Sequence, residues 1–67
     1  MISLADQIAE AKRELALRKR CYPQWVQSGR LDATKAQHQL VCMEAIVDTL
    51  ERVLMNQSQM SLFMTGM

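Results

Sequence analysis

Sixty-seven residues, with eight Lys/Arg against seven Asp/Glu, allow one domain at most and give no charge excess of the kind that announces a nucleic-acid binder. Hydrophobic residues make up 49% of the chain, with only two glycines and one proline, which argues against both disorder and an all-β domain. A chain this short rarely gains more than ~3–5 kcal/mol from its own core and usually needs a staple or another subunit.

The first helix is expected to start at Ser3. In Ser3-Leu-Ala-Asp6 the hydroxyl can cap the first turn, and Asp6 suits the positive end of the helix dipole. Strong helix formers follow, and Leu4, Ile8, Ala11, Leu15, Arg18 and Tyr22 recur at the 4-3-4-3-4 spacing of a heptad seam with one charged member. Pro23 lacks an amide donor and disfavours the helical conformation at Tyr22. The helix is therefore expected over about 4–22, with a short turn over 23–28 in which one or two further turns of helix can form before Gly29.

Asp32 supplies the second cap, with Leu31 before it and Ala36 four positions on as a small hydrophobic staple. Lys35 stands where a Glu or Gln would complete a capping box. Ala36, Leu40, Met43, Val47, Leu50 and Leu54 repeat the same spacing, which predicts a second helix over about 33–55. Paired antiparallel, each seam residue meets a partner whose number adds to 58: Leu4 with Leu54, Ile8 with Leu50, Ala11 with Val47, Leu15 with Met43, Arg18 with Leu40, and Tyr22 with Ala36. The midpoint falls on Gly29. Two stripes of equal length, symmetric about the one glycine of the connector, predict an all-α, antiparallel two-helix hairpin as a single domain over 1–55. Residues 56–67 are uncharged and Met-rich and are expected to form a flexible tail, able to extend the helix by a turn or to grip a partner.

One hairpin cannot cover all the apolar surface. Val41, Cys42, Ala45, Ile46 and Val53 lie beside the second seam, and Ala5, Ala9, Leu17 and Cys21 beside the first. A second hairpin, giving a homodimeric four-helix bundle, is the simplest solution. Leu4, Ile8, Leu15, Leu40, Met43, Ile46, Val47, Leu50, Val53 and Leu54 are then its core and dimer residues. Charge is polarised. Arg18, Lys19, Arg20, Arg30 and Lys35 outnumber Asp32 near the loop, while Asp6, Glu10, Glu14, Glu44, Asp48 and Glu51 outnumber Lys12, Arg13 and Arg52 at the open end. Antiparallel docking of two copies is the arrangement such poles favour.

Catalytic chemistry finds little support. His38 is the only histidine and is expected to face outward. Cys21 and Cys42 are offset by more than a turn, form no CxxC pair, and are expected to be small buried hydrophobes. Cys42 and His38, four residues apart, can touch, but no oxyanion site or enclosed pocket is implied. Glu14 and Glu44 flank one layer as solvated charges. No metal, cofactor or catalytic residue is expected, and the chain is not expected to be an enzyme. With no basic and apolar leader and no apolar run longer than Val41-Cys42-Met43, neither a signal peptide nor a membrane span is expected; the expectation is a soluble, cytoplasmic protein.

The segment from Arg18 to Arg30 gathers the only Tyr, Trp and Pro beside most of the loop-end charge. Either Trp25 and Tyr22 cap the small core with Arg18 lying against a ring, or Arg18, Tyr22, Trp25 and Arg30 form a partner-binding end. A helix-turn-helix, which Val26 to Asp32 superficially fits, is disfavoured by helices this long and stripes this well matched.

The pattern Glu14-Leu-x-x-Arg18-x-x-x-Tyr22-Pro-x-Trp-Val26, then Gly29-Arg-Leu31, Ala36 and Met43-Glu-Ala-Ile46, resembles small phage- and prophage-encoded helical proteins of unknown function. The resemblance covers roughly residues 3–54 and leaves out the tail; the YPxWVxxGRL stretch carries it, the heptads do not. It implies a phage accessory protein in the bacterial cytoplasm, binding a host or phage protein. An inhibitor of a bacterial defence system, comparable to anti-CRISPR proteins, and a nucleic-acid-associated regulator using the basic loop end are the alternatives it leaves open.

Overall fold

Ser3 opens the first helix as its cap: the hydroxyl oxygen accepts from the Asp6 amide at 3.0 Å, and the Gln7 amide donates to the Ser3 carbonyl at 3.1 Å. Asp32 does the same for the second, accepting from the Lys35 amide at 3.1 Å. The computed structural model describes the backbone of residues 1–65 and the side chains of residues 1–57. Between and beyond these caps it contains helix α1, Leu4–Gln27, and helix α2, Ala33–Thr65, packed on each other as an all-α hairpin.

The packed face is the one the heptads mark. Ile8, Ala11, Tyr22, Ala36, Met43 and Val47 are buried, and Ala11, Met43 and Val47 form its centre with Leu15 and Leu50 against them. These belong to the layers whose numbers add to 58. Leu4 and Leu40 are half-buried. None of the described side chains is fully buried, because a single pair of helices leaves every seam residue open on one side. Polar contacts reinforce the seam at both ends. Lys12 pairs with Glu51 across the hairpin at 2.9 Å. Nearer the loop, the Tyr22 hydroxyl donates to Gln39 Oε1 at 2.9 Å, and Arg18 donates to the Gln39 carbonyl at 3.3 Å while pairing with Glu14 at 2.9 Å.

Two boundaries differ from those expected. Helix α1 does not stop at Tyr22: residues 23–27 are helical, and the connector shrinks to Ser28–Asp32. Pro23 removes the bond its amide would give to the Lys19 carbonyl, a cost of up to ~3 kcal/mol in a helix interior. The turn before it is held by the Tyr22 and Arg18 contacts with Gln39, and the turn after it by a strong helix stop. With Ser28 as C-cap, Gly29 takes φ +80°, its amide donates to the Val26 carbonyl at 3.1 Å, and the Arg30 amide donates to the Trp25 carbonyl at 2.8 Å. That is a Schellman motif, and its left-handed residue is the glycine the sequence supplies.

Helix α2 likewise runs on past the expected end near 55 to Thr65. No glycine or proline occurs between Gly29 and Gly66 to stop it. Leu54, the expected seam partner of Leu4, is not a core residue: it stands 38% exposed in an open hollow with Ala5, Ile8 and Met55, because the seam opens toward the start of α1 and the residues after Leu54 overhang the first helix. The side chains of Met60, Phe63 and Met64, and the last two residues, lie outside what the structure describes. Among the described residues no helix is long and apolar enough to cross a membrane.

Candidate functional site

The hairpin presents two surfaces with unspent binding chemistry: the loop end and the side of α2 facing away from α1.

At the loop end the four residues singled out in the sequence divide into two pairs. Arg18 and Tyr22 occupy seam positions, and the structure draws them into the contact between helices. Tyr22 is buried and bonded to Gln39, and Arg18 is held by Glu14 and the Gln39 backbone instead of lying on a ring. Trp25 and Arg30 stay outside. Trp25 sits on the last turn of α1, opposite the place where α2 has only begun, and remains 38% exposed. Its ring lies 5.6 Å from that of Tyr22, centroid to centroid and tilted by 35°. The Arg30 guanidinium stands over the Trp25 ring, 5.9 Å from its centroid.

The turn fixes this geometry. The Trp25 carbonyl accepts from the Arg30 amide, the Leu31 amide at 3.1 Å and the Ser28 hydroxyl at 3.2 Å. In Schellman turns an apolar contact commonly joins the two residues that Trp25 and Arg30 represent here; the cation over the indole takes its place.

Charge sharpens the picture. Lys12, Arg13, Arg18 and Arg52 are each paired within the chain, to Glu51, Glu10, Glu14 and Asp48. The Glu10 carboxylate, by hydrogen bond and by charge, holds the Arg13 guanidinium above its ordinary pKa. Among the described residues, Lys19, Arg20, Arg30 and Lys35 have no carboxylate partner, and all four lie toward the loop. Asp32, the acid between Arg30 and Lys35 in the chain, is engaged as the cap of α2.

The other surface is an exposed apolar stripe. Val41, Ile46 and Val53 are 50%, 49% and 41% exposed, and Cys42, Ala45 and Thr49 between them are exposed too. Cys42 therefore is not the buried hydrophobe expected from composition: it is one position off the seam residue Met43, which turns it outward. Cys21 is half-buried, and both thiols are free. His38 Nε2 lies 3.4 Å from Cys42 Sγ on this same exposed side. No group of three or more His, Cys, Asp or Glu capable of holding a metal occurs among the described residues.

What the sequence hid at the loop end was legible in the register. Arg18 and Tyr22 fall on the 4-3-4-3-4 stripe, whereas Arg30 lies beyond the helix. Comparison with family models, with curated proteins and with solved structures gives no match to this chain.

Proposed function

We propose that this chain is a non-enzymatic binding module, a phage or prophage accessory protein that acts by gripping another protein with its loop end. The observation that carries this reading is the Trp25–Arg30 pair. An indole left partly in solvent, with a guanidinium over it and its backbone held by three hydrogen bonds, is an anchor ordered before binding, so little entropy is lost when it docks. Lys19, Arg20 and Lys35 add positive charge around it. The matching partner carries an acidic patch beside an apolar pocket for the indole. The phage assignment rests on the YPxWVxxGRL stretch, and a bacterial defence complex is the narrower class of host partner that such a protein would block.

The test is capture from bacterial lysate on immobilised wild type and on Trp25→Ala/Arg30→Ala, with helicity checked by circular dichroism. Loss of a captured protein in the folded double variant supports the reading. Equal capture by the two overturns it. A second reading, association with nucleic acid, draws on the same four unpaired cations. It requires duplex DNA to bind at low salt with an affinity that falls steeply as salt rises; no binding at low salt removes it.

A further inference from the structure

We infer that a second copy of this chain seats on the outer side of α2, helix α2 against helix α2 and antiparallel, with Ile46 and Thr49 at the centre and Cys42 opposite Val53. This surface is separate from the loop end, so the two readings stand or fall independently.

Three observations call for a cover. The hairpin is a single layer of helix, 16 Å across its thinnest dimension, where stable domains build two. It exposes 5567 Å², while a compact monomer of 7.7 kDa exposes about 4,300 Å² by the usual size scaling. The surplus, about 1,200 Å², is spread over the whole chain, the overhang of α2 included, and is of the order that one subunit of a permanent dimer buries. The third is spacing. Cys42, Ile46, Thr49, Val53 and Asn56 run 4-3-4-3 along α2, a second heptad stripe beside the buried one, and in the sequence the same spacing continues to Met60, Phe63 and Met67.

The occupant is a copy rather than the chain's own end or an unrelated helix. The segment after this face is a continuation of α2 as helix to Thr65, not a loop turned back over it. The stripe carries no charged residue from Cys42 to Asn56, so like charges do not meet when it faces itself. With the centre between Ile46 and Thr49, the larger residues of one stripe face the smaller ones of the other: Ile46 against Thr49 and Val53 against Cys42.

Charge selects the direction. A parallel pair would bring two sets of Lys19, Arg20, Arg30 and Lys35 together. The antiparallel pair sets Lys35 of one copy about 35 Å along the helix from Lys35 of the other, several screening lengths away, and lays each basic end beside the uncharged overhang of its copy.

The test combines mass with a covalent report of register. Light scattering behind size exclusion over a dilution series should give twice 7.7 kDa for the full chain. Ile46→Ala should weaken the dimer by about tenfold or more while retaining helicity. In a Cys21→Ser background, Val53→Cys should form a covalent dimer on mild oxidation through Cys42, whereas Cys42 alone should form none. A covalent dimer through Cys42 alone means parallel helices and overturns the arrangement. A monomer at every concentration, or a larger assembly, overturns the inference altogether.

Discussion

Helix α2 has two apolar faces, and they differ in what they touch rather than in what they are made of. The inner face places Ala36, Met43 and Val47 against α1, with Leu15 and Leu50 beside them, and its residues are buried. The outer face, offset by one residue in the chain, carries Cys42, Ile46 and Val53 at the same spacing, and its residues stand in solvent. A heptad stripe therefore tells that a face is apolar enough to pack; only the fold tells whether this chain supplies the packing. The loop end repeats the lesson at smaller scale. Tyr22 and Arg18 are consumed in holding the helices together, while Trp25 and Arg30, again an aromatic and an arginine, are left to meet something else.

The sharpest way to break the comparison is to cut the two faces equally. Met43→Ala should cost about 2–3 kcal/mol of hairpin stability, by the loss of buried methylenes and the void left behind. Ile46→Ala should cost under ~1 kcal/mol when both are measured by urea unfolding at a concentration where any dimer has dissociated. Equal losses would mean that the outer face is packed within the chain after all.

A smaller effect of opposite sign is expected at Pro23. Pro23→Ala restores a donor for the Lys19 carbonyl in a segment that is already helical, and should stabilise by about 1–2 kcal/mol after the unfolded chain's gain in freedom is deducted. Destabilisation would show that the proline's fixed geometry is needed to aim the last turn and Trp25.

The smallest contrast lies at the loop end. Tyr22→Phe removes the hydrogen bond to Gln39 and should cost about 1 kcal/mol, whereas Trp25→Phe should change folding stability by about 0.5 kcal/mol or less. The reverse order would make Trp25 part of the core and remove it as an anchor.

Much of the fold was legible in the residues. Ser3 and Asp32 cap where their side chains predict, the middle of the two seams packs together at Ala11, Leu15, Met43, Val47 and Leu50 while Leu54 at the open end does not, and Gly29 occupies the left-handed position in the connector. The two helix ends that lie beyond their expected positions, at Gln27 and Thr65, have physical causes. Local chemistry at Pro23 favours an end, but contacts seventeen and twenty-one residues away, from Tyr22 and Arg18 to Gln39, hold the helix before it. Missing charge and several methionines give residues 56–67 the look of a tail, whereas what ends a helix is a breaker, and none comes before Gly66. The candidate site was legible by residue type and not by role. Seam spacing separates Arg18 and Tyr22 from Trp25 and Arg30, and an offset of one residue places Cys42 outside while Met43 is inside.

The relation between the two faces of α2 is tested most directly by thermal unfolding, followed by circular dichroism over a hundredfold range of protein concentration. If a copy completes the second layer, the Tm of the wild type climbs with concentration, because association stabilises only the folded chain, and the slope flattens in Ile46→Ala. A Tm that is the same at every concentration, and the same slope in both proteins, would show that the outer face of α2 is not where this chain meets its copy.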